Sequence, residues 1–263
     1  MNRLGIYIVI LWILVAVFAS LVSPFDPYQQ ITERALRAPS FPEIFGRDDL
    51  GRDMLSRVIY GARISMTIGL VSETIALLIG IIIGVTSGYF RGGLDEWLMG
   101  ITDMVLSLPA ALLALAIMAI FEHNGAGMII LLLGCFGWPT IARLARAETL
   151  KITGLDYISA ERALGVGHRR MLIKIILPNI MSPIWVAASV GVAFNILSEA
   201  WLSFVGVGVP PPAPSWGWMI NEGKDYFVSY PWLSIAPGIA IFTSVFGFVL
   251  LGDYLRDYFD VHA

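Results

Sequence analysis

One cysteine and three histidines are all that this chain of 263 residues offers to disulfides or imidazole ligation. Cys135 sits alone in an apolar run, so no disulfide framework forms within the chain. His123, His168 and His262 are scattered, no cysteine or carboxylate joins them at metal-ligand spacing, and no metal site is expected. His123, beside Glu122, reads as an ordinary loop residue. A phosphate-cradling G-x-x-x-x-G-K-[ST] loop is also missing: around Gly223-Lys224, position 218 is Trp and Asp225 follows. The chain is therefore not expected to hydrolyse ATP itself, and no cofactor is expected in it. Neither H-E-x-x-H nor a histidine inside a clear apolar run is present, which removes the residues an intramembrane protease needs. Charge is scarce as well, 14% of residues with a net of -3, and gives no argument for nucleic-acid binding.

Long apolar runs take up the room. A hydrophobic content of 57% and a mean hydropathy of +0.76 exceed what a soluble globular protein carries. A spanning helix needs about 20 mostly apolar residues to cross a hydrocarbon core of about 30 Å. Runs of that order extend over Leu4 to Val22, Ile64 to Phe90, Trp97 to Phe121, Gly125 to Ala142, Ile180 to Val207 and Tyr226 to Gly252. Backbone amides in hydrocarbon must be satisfied within their own segment, so these runs predict an all-α integral membrane bundle of six transmembrane helices. The first run outlasts the roughly 7–15 apolar residues of a cleavable signal and reads as an anchor.

Six spans place both termini on one side, together with a charged island between the fourth and fifth. Arg143, Arg146, Lys151, Arg162, Arg169, Arg170 and Lys174 outnumber the acids there and argue for the cytoplasm. The arginines between Ser23 and Arg63 dissent, but acids interleave them in a long Pro-rich segment whose translocation is reasonable. In that segment Gly46-Arg47-Asp48 recurs as Gly51-Arg52-Asp53. Asp53 is placed to cap a short helix through Tyr60 that lies on the membrane surface and ends at Gly61. Its carboxylates lack the alternate spacing of a calcium loop. The loop from Gly208 to Tyr230 holds Pro210, Pro211, Pro212 and Pro214, which predict a stiff extended rod, and tryptophans that read as interface anchors. The chain then divides into a tail and first span (1–22), an outer segment with its interfacial helix (23–63), a five-helix core with a cytoplasmic loop at 143–178 (64–252) and a cytoplasmic tail (253–263).

The most informative stretch is Tyr157 to Pro178, YISAERALGVGHRRMLIKIILP. Asp156 is placed to cap a helix from Tyr157 to Leu164, and Gly165 and Gly167 let the chain turn away. A second helix from His168 runs toward Pro178, which suits the first turn of the fifth span. Tyr157, Ala160 and Leu164 share a face with Ala163 close by, so the backbone can approach a partner closely. Arg162, Arg169, Arg170 and Lys174 offer charge-assisted contacts, to a protein groove or to anionic headgroups.

This stretch resembles the coupling loop of type I ABC-importer permeases, with Ser159, Ala160 and Glu161 at the E-A-A positions and Gly165, Ile175, Leu177 and Pro178 at matching spacing. Ser159 stands where the family usually has Glu, and Glu161 where Ala is usual. The resemblance continues through Phe45–Arg63, Asp103 with Leu108-Pro109, Ser198–Gly208, Pro212–Gly217, and Pro237 with Leu251-Gly252-Asp253 and Leu255-Arg256-Asp257. These pieces are similar to the dipeptide, oligopeptide and nickel branch, with Arg47 where the branch typically has Thr. The resemblance implies a bilayer-embedded permease subunit, not an enzyme, paired with a homologous permease in a bacterial or archaeal cytoplasmic membrane. It also implies two cytoplasmic ATPases that bind ATP and Mg, and an external binding protein that chooses the cargo, peptide or nickel.

Three carboxylates, Glu73, Asp103 and Glu199, fall inside the apolar runs, where ionisation costs about 2.5–3.5 kcal/mol on insertion scales. Asp103 lies before Pro109, which predicts a kink, and faces either a water-lined pathway or a hydrogen bond from a neighbouring helix. Glu199 resembles the Glu of the branch's E-A-x-L-S-F-x-G motif, which places it at an outer gate. Glu73 has no such parallel; Ser72 and Thr74 beside it suggest pairing with another span. As coupling carboxylates these three would instead serve a gradient-driven transporter, a reading weakened by the lack of a visible inverted repeat.

Overall fold

The computed structural model describes residues 3–120 and 125–260, which are helical apart from loops and one antiparallel bridge between Arg47 and Asp53. Among the described residues, four helices are long and apolar enough to cross a membrane, and a bent pair brings the number to five at most. The first expected span is shorter than its apolar run: α1 (Leu4–Val17) breaks at Phe18 before the four-residue α2 (Ala19–Val22). Its 14 residues rise about 21 Å, less than the hydrocarbon thickness. Arg63 donates to the carbonyls of Ala16 and Val17 and satisfies the end of α1.

Helix α3 (Met54–Phe90) has 37 residues, about 55 Å of rise, and so projects well past the bilayer core. Asp53 caps it as expected, accepting from the Ser56 amide at 2.8 Å and the Ser56 hydroxyl at 2.7 Å. The helix does not stop at Gly61, and its first turns are not a surface helix. Met54, Val58 and Ile59 are buried, and Gly61 lies against the Trp216 indole, where any Cβ would collide. Gly80, Gly84 and Gly88 recur every fourth residue on the face toward α6 (Ala126–Thr153), letting the two backbones approach closely; this is the most extensive helix pairing of the bundle.

Between them the expected third span breaks at Leu108-Pro109 into α4 (Gly92–Ser107) and α5 (Ala110–Ile120), bent by 75°. Leu108 is extended, as the residue before proline should be. After the short α7 (Asp156–Ala163), α8 runs without interruption over His168–Phe204. Pro178 stands in the first turn of the α-helical stretch Leu177–Phe204, as expected, but that stretch continues the turns before it without a break. A π turn over Met171–Ile176 precedes it, which accommodates the missing proline amide, and the Asn179 side chain donates to the Ile175 carbonyl at 2.6 Å.

The last loop folds inward rather than standing as a rod. Pro211 and Pro212 occupy a turn, and Ser215 caps the buried helix α9 (Trp216–Gly223). Trp216 is not an interface anchor: it is fully buried, donates to the Val58 carbonyl at 2.9 Å and meets the Trp12 ring edge-on at 5.0 Å. Helix α10 (Trp232–Asp260) closes the chain antiparallel to α1, with Gly5 against Leu250 and Leu251.

Candidate functional site

The loop predicted to dock a partner forms a helix whose outward face is open. Leu155, not Asp156, is the N-cap: its backbone is extended, and Asp156 is the first helical residue, where its charge favours the positive helix end. Ile158 is fully buried and pins α7 to a cluster of Val85, Tyr89, Ile152, Met171 and Ile176. Tyr157, Ser159, Ala160, Arg162, Ala163 and Leu164 are exposed, Leu164 to 81%, and Glu161 is half-buried. The helix ends in a paired closure: the Val166 amide bonds the Glu161 carbonyl at 3.2 Å, and the Gly165 amide the Arg162 carbonyl at 3.0 Å. Gly165 supplies the required positive φ of 79°, whereas Gly167, at φ -66°, uses no such freedom. Ile175 and Leu177 are half-buried at the π turn and Pro178 is exposed.

Residues that the sequence reading passed over hold this loop. Tyr89, at the end of α3, shares a 2.8 Å hydrogen bond with His168 Nδ1, and the Arg162 guanidinium lies 5.2 Å above its ring. Arg91 donates to Thr153 at 3.0 Å. Arg146 grips Asp95 with two bonds of 2.6 and 2.7 Å, and Ser87 bonds the same carboxylate.

The three carboxylates of the apolar runs are not one site. Asp103 forms a 2.6 Å ion pair with Arg143 of α6, and both side chains stay more than half exposed, 61% and 55%. Of the two alternatives for Asp103, the bond to a neighbouring helix is the one seen here, and the pair borders an open hollow of about 370 Å³ lined by Met99, Asp103, Arg143 and Arg146. Glu73 is buried and accepts from Asn195 of α8 at 3.0 Å, rather than using Ser72 or Thr74. Glu199 is fully enclosed, accepting from Ser65 at 2.9 Å and Ser203 at 2.7 Å. Gly191, Asn195, Glu199 and Ser203 recur every fourth residue on α8, and Ser65, Gly69 and Glu73 do so on α3. The two rows meet along one seam, to which the Trp216 amide and Ser215 attach.

At the bundle end bearing α9, the repeated Gly-Arg-Asp units make a buried ionic cluster. Arg47 donates to Glu43 at 2.8 Å and to the Gly51 carbonyl at 2.5 Å, and Arg52 to Asp48 at 2.6 Å. Arg52 and Arg57 reach Glu222 of α9 at 3.3 and 2.7 Å. The Arg47 hydrogen bond, with Arg34 and Arg37 nearby, holds the Glu43 carboxyl below its usual range against the opposing effect of burial. Glu122, His123 and His262, and the end of the third expected span at Phe121, lie outside the described residues.

Comparison with known proteins agrees with this architecture. The family described as "Binding-protein-dependent transport system inner membrane component" matches residues 76–261. A di/tripeptide transport system permease, DppC, of Pseudomonas aeruginosa is 38% identical, over 97% of this chain and 86% of the relative. The oligopeptide transport system permease OppC of Bacillus subtilis is 38% identical over 97% and 84%. The glutathione transport system permease GsiD of Pectobacterium atrosepticum is 38% identical over 97% and 85%. Among solved structures, the MetNI methionine ABC transporter in an inward-facing conformation shares the fold, with a TM-score of 0.65 at 20% identity over 78% of this chain and 97% of that one. The chain is a transport permease subunit and not itself an enzyme, and it belongs to the family of binding-protein-dependent transport system inner membrane components.

Proposed function

We propose that this chain forms half of the translocation pathway of an ATP-driven importer of di- or oligopeptides. It pairs with a homologous permease in the cytoplasmic membrane. Two cytoplasmic ATPases, which bind ATP and Mg, grip the short helix of each permease, and an external binding protein delivers the cargo. The observation that carries this reading is 38% identity across 97% of the chain to permeases named for di/tripeptide and oligopeptide transport. The open face of Tyr157, Ala160, Ala163 and Leu164 supports it as the coupling surface, since small exposed residues let a groove close on the helix backbone.

The basic balance of the loop supports a cytoplasmic side for it, and with α1 and the bent pair each counted as a crossing both termini share that side. Asp103 with Arg143 then borders the inner half of the pathway, while Glu199 and Glu73 hold the α3–α8 seam along which the outer half would open. The test is to purify the chain from native membranes in mild detergent and identify its companions, comparing wild type with Gly165→Asp. Two ATPases and a second permease are expected with wild type, and the ATPases are expected to be lost from the variant. A stably inserted wild-type chain that brings down no ATPase would overturn the reading.

A further inference from the structure

One ring holds both ends of the loop. Tyr89 is buried in the last turn of α3, the helix whose other end carries the Asp53 cap and Ser65. Arg162, in the last turn of α7, lies over its face, and His168, the first residue of α8, bonds its hydroxyl. The His168 ring also packs edge-on against Tyr89 at 5.6 Å and tilted against Phe90 at 5.7 Å. The turn between these two contacts contains Gly165, in a left-handed conformation with nothing near its Cβ position. The joint between α7 and α8 is thus bracketed by two residues that hold the same side chain of a third helix.

We propose that Tyr89, with Arg162 and His168, is the positioning residue through which displacement of the short helix is delivered to α3. This rests on the coupling reading above. Burial of Ile158 secures α7, but apolar contact is non-directional and allows sliding. A hydrogen bond and a cation placed over a ring have preferred geometries, so moving α7 against α8 must either carry Tyr89 along or break its contacts. Because α3 is continuous over 37 residues, displacement at Tyr89 reaches the seam where Ser65 meets Glu199 and the Trp216 amide.

The experiment uses the whole importer in proteoliposomes, with its ATPases, partner permease and binding protein, and measures uptake of labelled alanyl-alanine and ATP hydrolysis in one sample. Tyr89→Leu is expected to lower peptide imported per ATP by roughly fivefold or more, with the ATPases still bound and ATP turnover retained. Tyr89→Phe keeps the ring under Arg162, loses the hydroxyl, and is expected to fall between. His168→Phe keeps the ring and loses its nitrogens, so it should resemble Tyr89→Phe, and the double variant should be no worse than either, because both remove the same bond. Uptake and ATP turnover falling in proportion, dissociation of the ATPases, or an unchanged ratio in all variants would each overturn the proposal, and the two Phe variants keep it testable if Leu prevents folding. A wild-type complex in which ATP hydrolysis drives no uptake would instead overturn the importer reading itself.

Discussion

Glu199 has no exposed surface, yet two serine hydroxyls from different turns and helices point at its carboxylate. Removing a buried acceptor strands its donors at about 1–3 kcal/mol each, so Glu199→Ala is expected to unfold at a clearly lower temperature in detergent and to be scarce in the membrane. Glu199→Gln keeps one acceptor oxygen and gains an amide that the other hydroxyl can accept, so its melting temperature and abundance should stay near wild type. An alanine variant as stable as wild type would show that the serines find other partners. Gly165 and Gly167 offer a cleaner contrast, because a Cβ on either meets nothing within 4 Å. Only Gly165 has a positive φ, so Gly165→Ala should cost about 1–2 kcal/mol through backbone strain alone. Gly167→Ala should be silent. Circular dichroism melting and ATPase co-purification of the two variants read the difference.

The segment from Phe25 to Asp53 owes its shape to charge more than to apolar burial, and Glu43 is its centre. Its carboxyl is held low chiefly by the Arg47 hydrogen bond. A depressed native pKa gives stabilisation that is present above the unfolded value of about 4.3 and lost as pH falls through the native value. Backbone bonds of this segment, such as Leu36 to Asp48 and Arg47 to Arg37, should therefore loosen below about pH 4 while the spans hold. Hydrogen exchange, corrected for the intrinsic amide rate, measures this; Glu43→Gln should be loose at every pH and lose the dependence. Little of this element was legible in the sequence, since its arginines could be matched only with the acids interleaved among them, and the acceptor Glu222 is 165 residues from Arg57. Trp216 was misread for the same reason, its acceptor carbonyl lying 158 residues away. What depends on local rules was legible: the Asp53 cap, the break at Pro109, the exposed face of α7 and the turn at Gly165. The starts at Met54 and His168 were legible too, but not that each helix runs unbroken into its span, because the joining turns rest on polar residues that pair across the bundle, Arg57 with Glu222 and His168 with Tyr89.

At the scale of the whole molecule, long unbroken helices such as α3 and α8, 37 residues each, contrast with the bent α4–α5 pair, and this contrast makes a prediction about movement. Helix α3 is pinned along its length by the close glycine face against α6 and by the seam against α8, so it should move as a rigid body. The α4–α5 pair has no amide at Pro109 to restore the helix, and the residues flanking its 75° bend are largely exposed, which makes the bend the natural place for change. The exposed Cys135 would first be replaced by serine, and spin labels then placed at Tyr60 and Thr86 within α3, or at Leu94 and Leu112 across the bend. The first pair should give a narrow distribution near 39 Å that does not shift when the assembled importer is trapped with a non-hydrolysable ATP analogue. The second should broaden or shift by more than the ~1–2 Å of a simple helix adjustment. A shift within α3 with a fixed bend would mean that the long helix is the element that yields, and the force entering at Tyr89 would be absorbed before it reached Ser65.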